Sequence, residues 1–293
     1  MKGLILAGGT GSRLYPSTLS TNKHLLPVYD KPLIYYPLST LLMAGCRDIA
    51  IVSNEDHLNS FQKLIGDGSR FGATVTYYSQ TSANGIVGAL KSARNLNEDD
   101  SALVILGDNI FFGGGIGGSF KSLMGNTSAS IWVKKVHNPS DYGVITLDVQ
   151  DIPLEIVEKP RNPNSNLAIT GLYYLPQGFV NLLDKIEPSE RNELEITDLI
   201  EYFMKKRKLE VKHLSRGTAW FDAGTPERLF MAADYVRIMQ ERSGEIVGSP
   251  EEVSVRNGLL TIQSFKELTN QMPESDYKES LLSIELLAKN EFS

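Results

Sequence analysis

The sequence predicts an α/β fold in which helices flank a doubly wound, mixed and mostly parallel central sheet, with a helical extension at the C-terminal end. Up to about Asp108, short apolar runs alternate with amphipathic stretches, which is the βαβ rhythm of a parallel sheet. From about Ala129 the segments become rich in strand-forming residues, which favours a mixed sheet. Beyond residue 242, apolar positions recur at helical spacing.

The first part of the chain supplies the parallel elements. Residues 4–7 form a continuous apolar run, as expected for a strand buried on both faces. One helix is expected to open with Pro32 and to close at Gly45, because proline fits a first helical turn and glycine a helix end. Strands are predicted over residues 3–7, 48–53, 74–79 and 102–106, and helices over residues 32–44, 56–65 and 85–95.

The second part supplies the remaining strands and the extension. Strands are predicted over residues 131–133, 143–147, 154–157, 170–174 and 209–214, and helices over residues 195–205 and 225–241. An apolar stripe near the C-terminus favours packing, either onto the main body or onto another subunit. Its members are Leu281, Leu282, Ile284, Leu286 and Leu287.

Composition limits the functional classes. The chain of 293 residues has 35 acidic and 29 basic residues, a net charge of −6, which argues against nucleic acid as a partner while leaving room for a local cationic pocket. The single cysteine, Cys46, cannot form an internal disulfide and reads as a small core residue. No leader pattern and no long apolar run is present, so we expect a cytoplasmic protein without a membrane segment.

A glycine-rich turn follows the first strand. Gly8, Gly9 and Gly11 carry no Cβ, so their backbone N–H groups can approach an anion and adopt positive φ at little cost. Arg13 adds a fixed positive fork that suits phosphate oxygens. The turn is not a Walker A motif, because no Gly-Lys-Ser/Thr follows, and Leu14 replaces the third glycine of a dinucleotide fingerprint. It is either a phosphate cradle or a structural βα turn.

Acidic and basic residues at predicted strand ends suggest further phosphate chemistry. Asp108 follows the strand 102–106, and Asp222 lies between aromatics and a glycine turn; two such carboxylates could hold a hard divalent cation, or each could cap the next segment. Lys23 could neutralise a phosphate chain or be an ordinary exposed lysine. Glu158 and Lys159 could bind a sugar phosphate or form a surface ion pair.

Other catalytic chemistries lack support in the sequence. The four histidines, His24, His57, His137 and His213, show no metal-ligand spacing, which disfavours a zinc site. No Gly-x-Ser-x-Gly elbow is present, so nothing indicates acyl-enzyme chemistry.

Several motifs in order along nearly the whole chain resemble the sugar-nucleotide pyrophosphorylases, a family of nucleotidyltransferases with a Rossmann-like fold. These motifs are residues 6–14, 23–32, 106–109, 158–160, 193–198 and 220–225. The resemblance implies Mg²⁺-dependent transfer of a nucleotidyl group from a nucleoside triphosphate to a sugar 1-phosphate. The nucleoside triphosphate would be dTTP or UTP, and glucose 1-phosphate is the leading candidate for the sugar 1-phosphate. It also implies a homotetramer and direct in-line attack on the α-phosphorus.

The resemblance also implies roles for individual residues. Arg13, Lys23 and Asp108 would be catalytic, with Arg13 stabilising the departing pyrophosphate and Lys23 acting near the α-phosphate. Asp108 and Asp222 would bind Mg²⁺. The nucleotide would be held by Gly8, Gly11, Gln80 and Gly85, and the sugar phosphate by Tyr142, Gly143, Glu158, Lys159, Ile169 and Tyr173.

Three positions depart from the family pattern, and they leave the preferred base and sugar open. His24 and Gly88 stand where the family commonly has glutamine. Asn84 lies where the family has a proline-containing motif. A UTP-using relative and a catalytically silent nucleotide-sugar-binding subunit are the alternatives. The expected division is a catalytic domain over residues 1–242, with a nucleotide part to about 128 and a sugar-phosphate part over about 129–225, and an extension over 243–293.

Overall fold

A computed structural model describes residues 1–80, 84–93 and 96–291, with the backbone alone over 285–291. Ala83 of the departing motif and the expected end of the helix over 85–95 therefore lie outside the described residues. The side chains of Leu286 and Leu287, expected in the C-terminal stripe, also lie outside them.

Thirteen strands are present in the described residues. They are β1 Lys2–Leu6, β2 Pro27–Val28, β3 Lys31–Pro32, β4 Asp48–Ser53, β5 Thr74–Ser79, β6 Ala102–Leu106, β7 Asn109–Phe112, β8 Ala129–Lys135, β9 Gly143–Leu147, β10 Pro153–Glu158, β11 Leu167–Leu175, β12 Leu209–His213 and β13 Ala219–Asp222.

Within the described residues, ten α-helices lie between and after these strands. They are α1 Tyr35–Met43, α2 Glu55–Ile65, α3 Ile86–Ser92, α4 Ile116–Phe120, α5 Val180–Leu183, α6 Ile196–Lys205, α7 Pro226–Ser243, α8 Pro250–Arg256, α9 Ile262–Gln271 and α10 Asp276–Glu291.

The predicted fold class is confirmed by the main sheet. Strands β6, β1, β4 and β5 lie side by side in parallel, with Leu4 aligned to Ala50 on one side and to Val104 on the other. The remaining pairings of β8 to β11 are antiparallel, except that β12 adds to β8 in parallel. The sheet is therefore mixed, with its parallel part first in the sequence.

Strand β1 contributes to cores on both faces of the sheet. Ile5 and Ala7 pack with residues of α1 and α2, whereas Leu4 and Leu6 pack with residues of α3 and α6. Successive side chains of a strand point to opposite faces, so helices must cover both sides of such a strand. This is the doubly wound arrangement that the apolar run predicts.

The long strand β11 creates a fork in the sheet. One edge of β11 pairs with β8 at Leu167–Ile169 and again at Tyr173–Tyr174, with a register shift between them. On its other edge, Leu172–Leu175 pairs with β6, whereas Ala168 pairs with β9. Because β6 and β9 share that edge, the sheet opens between them near Gly171, and a cleft lies there.

Two small sheets were not foreseen from the sequence. The predicted helix start at Pro32 is wrong, because Lys31–Pro32 pairs with Pro27–Val28 in a hairpin and α1 begins only at Tyr35. The second sheet pairs β7 with β13, so that Asp222 lies opposite Asn109. This ribbon brings two distant segments to the mouth of the cleft.

The C-terminal helices follow α7 and pack on the main body through α8, which contacts α1. Leu281 and Ile284 of α10 lie in a small core with Phe265, as expected for packing residues. Cys46 is fully buried in the main core. Within the described residues, no helix combines the length and the apolar character needed to cross a bilayer.

Candidate active site

The glycine-rich turn leaves β1 at the carboxyl end of the sheet. Gly9 and Gly11 have φ of 95° and 60°, a region that glycine adopts without strain. A Cβ on Gly8 would lie 2.6 Å from Gln80 Oε1, so a side chain there would displace that amide. The prediction that this turn uses positive φ is confirmed at Gly9 and Gly11.

Lys23 and Asp108 form an ion pair at the end of β6. The Lys23 ammonium donates to Asp108 Oδ2, and both side chains are largely buried. Asn109 Nδ2 donates to the other carboxylate oxygen at 2.9 Å. Burial raises the pKa of Asp108, but the lysine, the neighbouring His24 and the hydrogen bonds outweigh it and lower this pKa. Asp108 is thus held as a carboxylate beside a cation.

Asp222 lies beside Asp108 because of the β7–β13 ribbon. The Ala223 N–H donates to the Asp108 carbonyl at 2.9 Å, which holds the turn at Asp108 next to the end of β13. Burial and then the negative charge of Asp108 raise the pKa of Asp222, while Arg228 and Arg13 oppose that rise. Both carboxylates line the same cavity.

The carboxylate pair fits Mg²⁺ better than a metal with an all-protein cage. Among the residues that the structure describes, no three His, Cys, Asp or Glu side chains converge on one point. Mg²⁺ is bound by one or two carboxylates together with waters and substrate phosphates. Asp108 and Asp222, both facing the same cleft, supply such a donor set.

The strand ends on the other side of the cleft bring Glu158 and Lys159 together. Lys159 has φ of 43°, a left-handed conformation that is unfavourable for lysine, and its N–H donates to the Tyr142 carbonyl at 3.0 Å. This turn lets both side chains line the cleft, although neighbours in a regular strand would point apart. The sequence suggested the shared pocket, but not the strained residue.

Glu158 is held by cations from two segments. Its Oε1 lies 3.6 Å from Lys159 Nζ and 3.7 Å from Arg191 Nη1. Burial raises the pKa of Glu158, while Lys159 and Arg191 lower it and Glu195 raises it. Arg191 also lies 3.4 Å from Glu195. The sequence analysis missed Arg191, which reads as a surface charge in an acidic stretch.

Aromatic side chains and small residues complete this part of the cleft. The rings of Tyr142 and Trp220 lie 5.1 Å apart at an angle of 56°, and Trp220 Nε1 donates to Asn109 Oδ1 at 2.6 Å. Asn109 and Trp220 lie within two of the motifs that resemble the family, but the sequence analysis assigned neither of them a role. Tyr142, Gly143, Glu158, Lys159, Ile169 and Tyr173, all expected at the sugar phosphate, line one cleft with Arg13, Asp108 and Asp222.

Gln80, Asn84 and Gly88 form the far end of the nucleotide side. Gln80 Nε2 donates to Asn84 Oδ1 at 3.2 Å. A Cβ on Gly88 would lie 1.9 Å from the same Asn84 oxygen. The asparagine side chain therefore fills the room that the glycine leaves, so two of the departures from the family pattern are structurally linked.

The third departure, His24, is buried next to the cation Lys23. Its Nδ1 lies 2.6 Å from Asn22 Oδ1, and that oxygen can only accept, so Nδ1 carries a proton. Burial, followed by the positive charge of Lys23, lowers the pKa of His24 to about 3. His24 is thus a neutral imidazole near neutral pH.

Two cavities meet at the carboxylate. The first, of about 480 Å³, contains the residues expected at the sugar phosphate, and the second, of about 300 Å³, contains Gly8, Lys23, Gln80 and Gly85. Both are lined by Asp108, and the other shared residues are Ile86, Leu106, Glu158 and Lys159. Gly11, expected at the nucleotide, lines neither of these two cavities, and its carbonyl accepts from Thr18 Oγ1 at 2.9 Å.

Comparison with known families gives a match over most of the chain. The model of the family described as nucleotidyl transferase matches residues 2–237. A glucose-1-phosphate thymidylyltransferase of Mycobacterium tuberculosis is 41% identical over 99% of this chain and 100% of its own. The enzyme of the same name from Neisseria meningitidis is 40% identical over 97% of this chain and 99% of its own. These relatives confirm the resemblance based on the motifs.

Solved structures agree in fold. A crystal structure assigned as a glucose-1-phosphate thymidylyltransferase from Bacillus anthracis, with sucrose bound, has a TM-score of 0.75 and 38% identity, covering 81% of this chain and 95% of that chain. A UDP-glucose pyrophosphorylase with UDP-glucose has a TM-score of 0.71, covering 82% and 99% of the two chains. At 24% identity the second likeness concerns the fold alone.

Proposed function

The chain belongs to the nucleotidyl transferase family, and we propose that it transfers the thymidylyl group of dTTP to glucose 1-phosphate, giving dTDP-glucose and pyrophosphate. The relatives that match nearly the whole chain carry the name of this activity. The observation that carries the proposal is the pair of adjoining cavities with Asp108 in their common wall. Such a cleft can hold two phosphate-bearing substrates with their reacting ends together.

The reaction we propose is a direct displacement at phosphorus. A phosphate oxygen of glucose 1-phosphate attacks the α-phosphorus of dTTP in line, and the bond from that phosphorus to the bridging oxygen of the β-phosphate breaks. The electron pair of that bond leaves with pyrophosphate, so no proton has to be removed from the ionised attacking phosphate. No nucleophilic side chain is required, and the rate enhancement comes from positioning and charge stabilisation.

The chain's own cations serve the two ends of this displacement. Lys23 neutralises charge near the α-phosphate, and Arg13, which lines the first cavity with Asp108 and Asp222, stabilises the departing pyrophosphate. Lys159 binds the phosphate of the sugar, and Glu158 accepts hydrogen bonds from sugar hydroxyls. Like-charged substrates are thereby held together in spite of their repulsion.

We assign the divalent cation of this site as Mg²⁺, held by Asp108 and Asp222. When bound, Mg²⁺ would neutralise phosphate oxygens and so make the α-phosphorus easier to attack. Lys23 contacts one oxygen of Asp108 and Arg228 contacts one oxygen of Asp222, so each acid lies beside a cation of this chain.

Base selection belongs to the end of the cleft around Gln80. We propose that its amide and the backbone at Gly8 and Gly85 face the pyrimidine. Thymine and uracil share the same pairing edge and differ by a methyl group, which is worth about 1–3 kcal/mol of discrimination. The altered packing at Asn84 and Gly88 lies beside this edge, so UTP use is the second candidate.

Pyrophosphate release tests the proposal. The purified chain is incubated with Mg²⁺ and each combination of dTTP, UTP, ATP and GTP with glucose 1-phosphate, galactose 1-phosphate and mannose 1-phosphate. We expect the highest kcat/KM for dTTP with glucose 1-phosphate and no release when either substrate or Mg²⁺ is left out. Binding of the substrates without release under every condition would favour the silent subunit instead. The tetramer and the cytoplasmic location stay predictions from the sequence.

A further inference from the structure

Arg228 contacts two acids that belong to different parts of the cleft. Its Nη1 lies 2.9 Å from Asp222 Oδ2, and its Nη2 donates to Asp141 Oδ2. Its guanidinium carbon lies 5.3 Å from the centre of the Tyr142 ring. One side chain therefore joins a proposed metal carboxylate to the turn at the mouth of the sugar-phosphate cavity.

The backbone fixes where this arginine starts. Arg228 lies in the first turn of α7, and its N–H donates to the side chain of the helix-capping residue Thr225 at 3.3 Å. Asp222 ends β13 just before that cap. Because the strand and the helix cap are both hydrogen-bonded, Arg228 and Asp222 keep a defined separation, and one charge-assisted hydrogen bond from Nη1 holds one oxygen of the carboxylate.

The contact also sets the direction of the Asp222 carboxylate. Arg228 takes Oδ2, whereas Oδ1 lies 2.9 Å from the point where a Cβ on Gly224 would stand. Arg13 Nη2 lies 2.7 Å from that same point. The carboxylate therefore has one oxygen on the Arg228 side and the other on the side of Arg13, within the cleft.

The second contact of Arg228, from Nη2 to Asp141, lies in the wall of the sugar-phosphate cavity. Asp141 and Tyr142 line that cavity, and the Tyr142 carbonyl receives the N–H of Lys159 at 3.0 Å. The turn that Arg228 holds is therefore hydrogen-bonded to the proposed phosphate-binding lysine. A ligand that orders this turn also orders Arg228, and through it Asp222.

We propose that Arg228 is a positioning residue that makes Mg²⁺ and the sugar phosphate bind cooperatively. This inference rests on the proposed function, because it takes Asp222 as a metal ligand and the cavity as the sugar site. Whichever ligand binds first fixes the shared guanidinium, so the second has less freedom left to restrict. Linkage requires the effect to be the same in both directions.

A binding cycle isolates this coupling without turnover. Calorimetry gives the affinities of dTDP-glucose and of dTDP for the full chain, each in EDTA and in saturating Mg²⁺. Both ligands carry a diphosphate, so direct contact with the cation contributes to both, and only dTDP-glucose fills the sugar cavity. In the wild type we expect Mg²⁺ to strengthen binding of dTDP-glucose about tenfold more than binding of dTDP.

Two variants test the contacts of Arg228 with Asp222 and Asp141. With Arg228→Met the two Mg²⁺ effects should become equal, and Mg²⁺-dependent dTDP binding itself should weaken, because Asp222 loses its support. With Asp141→Asn the two effects should also become equal, but Mg²⁺-dependent dTDP binding should stay near the wild-type value. Arg228→Lys should restore part of the difference, since a lysine ammonium keeps the positive charge and three donors but lacks the planar fork that spans both acids.

Arg237→Met is the matched control, because Arg237 lies on the same helix and pairs with Asp234 and Glu241. Arg237→Met should keep the wild-type difference between the Mg²⁺ effect on dTDP-glucose binding and the Mg²⁺ effect on dTDP binding. An unchanged difference in both Arg228→Met and Asp141→Asn would overturn the inference, as would its loss in Arg237→Met. Should Arg228→Met not fold, Asp141→Asn decides alone.

The outcome separates this inference from the proposed function. Wild-type pyrophosphate release from dTTP and glucose 1-phosphate, together with unchanged variants, would leave the function standing and remove only the role of Arg228. A wild-type chain that binds dTDP-glucose no better than dTDP, and releases no pyrophosphate, would remove both.

Discussion

The nucleotide side and the sugar-phosphate side of the cleft are built in different ways. On the nucleotide side, the glycine turn after β1 and Lys23 belong to one continuous stretch, placed by the parallel strands β1, β4 and β6. The sugar-phosphate side is assembled from the ends of β10 and β13, the middle of β11 and the turn before β9. The glycine turn and Lys23 are therefore encoded locally, whereas the sugar-phosphate side exists only once distant segments have met.

The two sides also differ in how their cations are held. The Lys23 side chain is 16% exposed and paired with the buried Asp108, whereas the Lys159 side chain is 45% exposed beside Glu158. A buried ion pair keeps its geometry, because breaking it leaves an uncompensated charge. We infer that the reacting end is preorganised, and that the sugar end adjusts when its phosphate binds.

The largest effect is expected at the preorganised side. Asp108→Asn should lower kcat by about a thousandfold, since it removes a charge needed where phosphate charge develops. The variant also leaves Lys23 without its partner. Pyrophosphate release at saturating substrates measures the loss, and circular dichroism checks that the fold is kept.

Asp184→Asn is a suitable control, because Asp184 is exposed and also pairs with a lysine, Lys91, at 3.1 Å. It should retain wild-type kcat. Near-normal turnover of Asp108→Asn with Mg²⁺ present would contradict the assignment of this carboxylate.

The sugar side should respond in KM. Lys159→Ala should raise KM for glucose 1-phosphate by about 10- to 100-fold, the value of a charge-assisted hydrogen bond, with a smaller change in KM for dTTP. Steady-state kinetics with each substrate varied in turn gives both constants. Lys205→Ala, at an exposed lysine paired with Glu201, is the control, and an effect on dTTP alone would place Lys159 on the wrong side.

A smaller effect is expected at the base end. Asn84→Ala removes the acceptor that orients Gln80, so KM for dTTP should rise about fivefold, as for one neutral hydrogen bond, while KM for glucose 1-phosphate stays unchanged. Asn164→Ala, at an exposed residue near Glu155, serves as the control. A shift in the sugar constant instead would show that the two sides are not separable.

The smallest expected effect concerns stability and pH. His24 has a folded-state pKa of about 3, below its unfolded value near 6.5, so the unfolded chain binds a proton that the folded chain does not. The free energy of unfolding should therefore fall as pH drops below 6.5, by up to about 1.4 kcal/mol per pH unit from this group.

Chemical denaturation in EDTA between pH 7.5 and pH 5 measures that slope. His24→Gln should show a shallower slope than the wild type, whereas His137→Gln, at an exposed histidine, should not. Equal slopes for His24→Gln and the wild type would mean that His24 is not buried as a neutral group.

The sequence predicted what is local. The apolar run before Gly8, the glycine turn and the strands over 48–53, 74–79 and 102–106 agree with the structure, because strand burial and turn chemistry act over a few residues. The acids Asp108 and Asp222 were found as ends of segments. That they face the same cleft follows from the β7–β13 pairing, across about a hundred residues, which no local pattern records.

The residues missed are those whose role depends on that long-range assembly. Arg228 and Arg191 read as ordinary charges on a helix and in a loop, and only the fold brings Arg228 to Asp141 and Arg191 to Glu158. The left-handed Lys159 could not be foreseen, because the sequence preference for such a conformation is for glycine or asparagine. The prediction that a helix begins at Pro32 was wrong, because Pro32 pairs with Pro27 in a β-hairpin.

A crystal structure with dTDP-glucose and Mg²⁺ tests the central claim most directly. The diphosphate should lie against Asp108 where the two cavities join, with the pyrimidine at Gln80 and the glucosyl group between Tyr142 and Glu158. Density for the diphosphate outside this cleft, or for a metal ion away from both Asp108 and Asp222, would contradict the account.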